Sequence, residues 1–367
     1  MENPLRVLIV DDTVTYRKIV SEVLAGCPDV AVVGTAANGK IALQRLEQQA
    51  VDLLVLDLEM PEMNGQAVLE ELRRRNSPVG AIMLSVFTAQ GAKATLAALE
   101  AGAFDFVLKP SGLSMEANVE HLCRELRTKL AAYARCCSVK QILYGKGGNR
   151  DRGSAAVDLE PKPRIVTPAA GPPQVVALGI STGGPKALTE MVPQLPVDLP
   201  VPLLIVQHMP PVFTRSLADD LNNRTPLTVR EGVDGQPICA GEVWIAPGGR
   251  QMKVQRQDGH AVLRITDDPS ENSCRPSVDY LFRSVAEVYG GRAVGVIMTG
   301  MGNDGSLGCR RLKHCGAWII AQDAATCVVF GMPREPIENG IADVVAPLGR
   351  IAAEIARLVR QGTALCK

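Results

Sequence analysis

Residues Ala177 to Pro185 read ALGISTGGP, an apolar run that breaks on a serine set among glycines. The run lacks polar alternation, as expected of a strand buried on both faces, and Pro185 suits the first turn of a following helix. Ser181 therefore belongs to a strand-to-helix turn. Three roles are open to it there: a nucleophile, part of a phosphate cradle, or a polar residue that serves only the turn. Outward from this stretch the same kind of run recurs. QVVALGI, PLLIVQH, EVWIAP, AVGVIM and AWIIAQ, between Gln174 and Gln322, read as buried strands. MKVQRQDGHAVLRIT alternates about Asp258-Gly259 and reads as a β-hairpin. Buried strands alternating with helical segments predict a doubly wound parallel α/β domain.

The beginning of the chain carries the pattern a second time. LRVLIV, VAVVGT, DLLVLDL, AIMLSV and FDFVLK are apolar on both faces, and RKIVSEVLAG and GQAVLEELRRR between them are amphipathic. Five such strand–helix units in about 120 residues predict a flavodoxin-like domain of five parallel strands. Its last helix is expected through NVEHLCRELRTKLAAYARCC. From Gly145 to Pro173 the chain is rich in Gly, Pro and charge without an apolar period, which reads as a mobile linker. The expected division is residues 1–128, then 129–173 as helix extension and linker, then 174–362.

Lys+Arg and Asp+Glu balance at 39 each, so nothing favours nucleic acid or an anionic membrane as partner. No apolar run reaches the length of a spanning helix, so no membrane insertion is expected. MENPLRVLIVDD has too short an apolar stretch for a signal peptide. The ten cysteines form no CxxC and no zinc-ligand spacing. They read as reduced thiols of a cytoplasmic protein, with no function expected of any.

In parallel α/β sheets the working residues lie just beyond the carboxyl ends of strands. Asp11 and Asp12 follow the first strand, while Asp57, Ser85 and Lys109 end the third, fourth and fifth. A single aspartate at a strand end is ordinarily a cap or turn residue. Five such residues at successive strand ends make a poor fit to that reading. Converging carboxylates repel unless a cation neutralises them, and hard oxygen ligands suit Mg²⁺. VLIVDD, LVLDLEMPEMNG, IMLSV and FVLKP resemble the response-regulator receiver family. The resemblance implies that Asp57 accepts a phosphoryl group from a histidine kinase, with Asp11, Asp12 and Asp57 about Mg²⁺. It further implies Ser85 and Lys109 as the phosphate-sensing pair and Phe106 as a switch aromatic.

The opening stretch contains Gly179-x-Ser181-x-Gly183. Such a pattern arises by chance in about one chain in eight of this length, so its context must carry it. Small neighbours on a sharp turn expose a serine Oγ. The Walker phosphate loop fails here, because Pro185 stands at the lysine position, Lys186 comes one residue late and Ala187 replaces the hydroxyl. A nucleophilic serine needs a base and an orienting acid. Of four histidines, His121 falls on a helix of the first domain, His260 in the hairpin, and His314 at a helix end. His208 alone directly follows an apolar strand. AVGVIMTGMGNDGS supplies Asp304 in a loop beyond another strand, and N–H groups around Gly300 to Gly302 there suit an oxyanion. The order Ser, His, Asp differs from the Ser, Asp, His of α/β-hydrolases.

ALGISTGGP, VQHMPPVFTRSLA, EVWIAPGG, RPSVDYLF, GVIMTGMGNDG and CVVFGMPREP together resemble the catalytic domain of chemotaxis-type protein-glutamate methylesterases. That resemblance implies Ser181 as nucleophile, His208 as general base and Asp304 as orienting acid, with Thr182 and Met301 supporting the serine and oxyanion. It implies hydrolysis of glutamyl methyl esters on cytoplasmic helices of chemoreceptors and deamidation of receptor glutamines, with no cofactor for the esterase. It also implies that the unphosphorylated receiver restrains the esterase.

Overall fold

The computed structural model describes residues 4–110, 114–144 and 171–361. Most of the stretch read as a linker lies outside them. Two compact units result: Met1–Ala134 with Pro210–Asp220, and Arg135–Met209 with Leu221–Lys367. Among the described residues no helix is long and apolar enough to cross a membrane.

The first unit holds strands β1 (Leu5–Val10), β2 (Val30–Ala36), β3 (Leu53–Asp57), β4 (Gly80–Ser85) and β5 (Asp105–Leu108). They form one parallel sheet in the order β2-β1-β3-β4-β5. Val7 to Val10 and Leu53 to Leu56 are fully buried, which is why both faces of these strands are apolar. The register pairs Val10 with Leu56, Asp57 with Leu84, and Ser85 with Leu108. Asp11, Asp57, Ser85 and Lys109 consequently leave the sheet on one edge. The helix following β5 spans Met115–Tyr144, beyond both ends of the expected segment. Leu122, Leu126, Leu130 and Tyr133 form its buried stripe. No Gly or Pro interrupts the chain before Gly145, so nothing local stops the helix at Cys137.

The second unit contains β6 (Val175–Ile180), β7 (Leu203–Gln207), β8 (Thr228–Glu231), β9 (Glu242–Ile245), β10 (Gln251–Gln257), β11 (His260–Thr266), β12 (Ala293–Ile297), β13 (Trp318–Gln322) and β14 (Val344–Ala346). Seven are parallel in the order β14-β13-β12-β6-β7-β9-β8, and β10 pairs with β11 as an antiparallel hairpin. The five expected strands and the hairpin are present. The short strands β8 and β14 went unread because both are partly exposed and only four and three residues long. The chain enters at β6 in mid-sheet, passes through β7 towards one edge, and returns to β12 on the other side of β6. The β6–β12 border is thus a topological switch point, where parallel sheets open a crevice beyond their carboxyl ends. The helix Val278–Tyr289 buries Val278, Leu281, Phe282 and Val285 in the core that also contains Val175, Ala177 and Ile297.

Candidate functional site

At the edge of the first sheet, the Lys109 ammonium lies 2.8 Å from Asp11 Oδ2 and 2.8 Å from Asp57 Oδ2. Asp11 and Asp57 are buried and Asp12 is exposed. Oxygens of all three approach within 4.8 Å of one another. Asp11 Oδ1 is held by the N–H and hydroxyl of Thr13, whereas buried Asp11 Oδ2 meets only the Lys109 ammonium among the described residues. Burial pushes the Asp57 carboxyl up to about 6; Lys109 pulls it down and Asp11 adds to the rise. Ser85 follows the residue paired with Asp57, but its hydroxyl is bonded to Thr95 Oγ1 at 2.7 Å, deeper in the interior. Thr95 was not anticipated, because a threonine on a buried helix face gives no sequence signal. The Lys109 ammonium also sits 4.6 Å from the centroid of the Tyr16 ring. Phe106 is buried, and its ring stacks on Phe213 of the same unit at 4.8 Å.

In the second unit, the register pairs Ile180 with Gln207, so Ser181 and His208 are the next residues on adjacent strands. The His208 N–H donates to Ile180 O, and the Ser181 N–H to Thr299 O beyond β12. Gln207 Nε2 donates to Ser181 O, fixing the turn from below. Gly183, at φ 79°, caps the helix Gly184–Met191 in a conformation that favours glycine. Gly300 is a second required glycine, since a Cβ there would stand 2.8 Å from Ser181 Cβ and 2.2 Å from Met332 Sδ. Ser181 is half-buried, and strand register places it beside His208 without a hydrogen bond from its Oγ among the described residues. Reactive pairs of this kind commonly tighten only when substrate binds.

Asp304 is buried, and its oxygens gather five donors. Oδ2 accepts from His208 Nε2 at 2.8 Å and Val278 N at 2.7 Å; Oδ1 accepts from Asn272 Nδ2 and Ser277 Oγ at 2.9 Å and Asp279 N at 3.1 Å. Val278 and Asp279 are the first residues of the helix capped by Ser277, so the carboxylate occupies a helix N-terminus, where its charge is favoured. Burial alone would raise the Asp304 carboxyl, but His208, Val278 and Asn272 outweigh it and hold it at about 2. Burial likewise pushes His208 down, while bonds to Asp304 and Cys274 win and take it to about 9. An ionised carboxylate only accepts, so Nε2 carries the proton and Nδ1 is the basic nitrogen.

Sequence reasoning missed Asn272, Cys274, Ser277 and Gln207. RPSVDYLF contains a helix cap, but its reach to Asp304 depends on packing across the sheet. The Gly300 N–H donates to Val329 O, which removes it from the expected set of oxyanion donors. Thr182 is buried, and its carbonyl accepts from Thr299 Oγ1; Met301 is half-buried beside Gly300.

The CheB methylesterase family matches residues 176–355, and the response regulator receiver domain matches residues 7–117. A protein-glutamate methylesterase/protein-glutamine glutaminase from Desulfotalea psychrophila is 47% identical over 97% of this chain and 99% of its own. The chain belongs to this family. A protein of the same name from Symbiobacterium thermophilum is 43% identical, covering 99% of each chain. The crystal structure of the Thermotoga maritima CheB methylesterase catalytic domain covers 51% of this chain and 99% of its own, at 42% identity and a TM-score of 0.50.

Proposed function

We propose that residues 174–362 form a serine esterase in which Ser181 is the nucleophile, His208 the general base and Asp304 the orienting acid. Its substrates are glutamyl methyl esters on the cytoplasmic helices of chemoreceptors, which places the protein in the cytoplasm. The hydrogen bond of His208 Nε2 to a buried, five-donor carboxylate carries this reading. It leaves Nδ1 to take the proton as Ser181 Oγ attacks the ester carbonyl, and to return it to departing methanol. Water then cleaves the acyl-enzyme through the same base, leaving a glutamate carboxylate. The same route on a receptor glutamine releases ammonia. In this reading Thr182, next to the serine, and Met301, next to Gly300, support the serine and the oxyanion.

The receiver, residues 1–128, controls this activity through phosphorylation of Asp57, with a histidine kinase as donor. Asp11, Asp12 and Asp57 would hold Mg²⁺; the convergent carboxylates, with a single lysine between the two buried ones, fit that ion. When bound, Mg²⁺ neutralises the carboxylates and the incoming phosphoryl oxygens. Lys109 already spans Asp11 and Asp57 and can follow the new charge, with Ser85 released from Thr95 towards it and Phe106 responding as the switch aromatic. Residues 129–173 join the two domains.

The deciding experiment compares methanol release from a methylated receptor cytoplasmic fragment with hydrolysis of a free methyl ester, using Ser181→Ala as control. Receptor-selective turnover that vanishes in the variant is expected. Equal turnover of both substrates would indicate a general esterase, and undiminished turnover in Ser181→Ala would remove the nucleophile assignment.

A further inference from the structure

Glu271 and Cys274 close a tight turn by exchanging backbone hydrogen bonds, with Asn272 at φ 52° and Ser273 at φ 60° between them. Two successive left-handed residues match the two-residue turn that fixes its flanking side chains firmly. This turn delivers Asn272 to Asp304, and it delivers the Cys274 thiol to within 3.7 Å of His208 Nδ1. The thiol is half-buried, and ligand atoms of His208, Cys274 and Asp304 lie within 4.8 Å of one another.

We propose that His208 Nδ1 and Cys274 Sγ form a binding site for a thiophilic divalent cation, best fitted by Zn²⁺, whose occupancy switches the esterase off. With Zn–S near 2.3 Å and Zn–N near 2.1 Å, ligands 3.7 Å apart subtend an angle close to tetrahedral at the metal. The separation of the two donor atoms already suits the ion. Asp304 holds Nε2–H on the far side of the ring, the outer carboxylate that metal-bound histidines characteristically use. The nitrogen and sulfur donors favour zinc over the hard cation suited to the receiver carboxylates. Binding replaces the thiol proton and the proton that Nδ1 carries when the ring is charged, both of which leave to solvent, and a half-buried site leaves remaining positions for water. The nitrogen that would bind the cation is the one that takes the proton of Ser181, so occupancy and catalysis exclude each other. The inhibition rests on the reading of His208 as general base, whereas the binding does not.

The test uses the full-length reduced protein titrated with Co²⁺ alone, followed by the thiolate-to-cobalt charge-transfer absorption. One saturable equivalent is expected, bleached by Zn²⁺ and at least tenfold weaker in Cys274→Ser and in Cys274→Ala. A band that is absent, or unchanged in both variants, overturns the site. In a parallel assay on methylated receptor fragment without phosphodonor, Zn²⁺ should lower the wild-type rate more than tenfold, reversibly with EDTA. Each variant, compared with its own zinc-free rate, should resist that concentration; equal inhibition overturns the switching role. A protein inactive on the receptor that still shows the Cys274-dependent band would uphold the cation site while breaking the esterase reading.

Discussion

The two candidate sites are built on the same plan and arrive at opposite electrostatics. Each sits beyond the carboxyl ends of parallel strands, and each buries an aspartate. At Asp57 the neighbours are another carboxylate and a single lysine shared between the two, so burial dominates and the carboxyl is pushed up to about 6. At Asp304 a helix N-terminus, an amide, a hydroxyl and an imidazole converge on one carboxylate, and it is held at about 2. Strand-end placement alone therefore does not decide what an aspartate does. The supply of donors does: in the proposed reading the under-supplied cluster takes a cation and a phosphoryl group, while the saturated carboxylate holds the N–H of a histidine.

The largest effects should fall on the saturated site. Ser181→Ala, His208→Ala and Asp304→Ala are each expected to lower methyl-ester turnover by about 10⁴-fold or more, and a triple variant should be no slower than the worst single one. Additive losses in methanol release would break the triad. At the other site, Asp57→Ala is expected to abolish phosphoryl labelling from a small acyl phosphate, and EDTA should do the same to the wild type. Labelling that survives either treatment would remove the contrast, since the cluster would then need neither its acceptor nor a cation.

The pH dependences sharpen the comparison. A base raised to about 9 is protonated below that value, so kcat/KM should climb roughly tenfold per pH unit through neutrality and level off near pH 9. Cys274→Ala removes one of the contacts that raise His208 and should move this limb to lower pH. An unmoved limb would show that Asp304 alone sets it.

The smallest effects are on stability, and their signs oppose one another. Asp57 titrates near 3.8 unfolded and about 6 folded, so its contribution is present below pH 3.8 and lost as pH rises through 6. Asp57→Asn should consequently stabilise the metal-free receiver at pH 7 by about 1–3 kcal/mol, with the gain gone by pH 4. Asp304 is depressed, so its contribution is present above pH 3.8 and lost as pH falls through about 2. Asp304→Asn should destabilise at pH 7 by about 2–4 kcal/mol, because an amide group would confront backbone N–H donors. Thermal melts in EDTA across this pH range check both, and parallel behaviour of the two variants would break the contrast.

Both sheets were legible in the sequence because their central strands are buried on both faces and must be continuously apolar, as LLVL before Asp57 and VVALGI are. The strand ends followed from the same runs, and so did Asp57, Ser181 and His208. Strands β8 and β14 were not legible, since a short, half-exposed edge strand imposes no such pattern. What the sequence by itself determined is the set of side chains that leave each sheet on its working edge, because chain direction and strand length settle that. Only the tertiary structure decided what those side chains meet. It brought the cap of the helix Val278–Tyr289 onto Asp304, engaged Ser85 with Thr95, tied the Gly300 N–H to Val329, and set Cys274 against His208. Those partners come from different elements, joined by packing across layers, and no local period in the sequence records a contact of that kind.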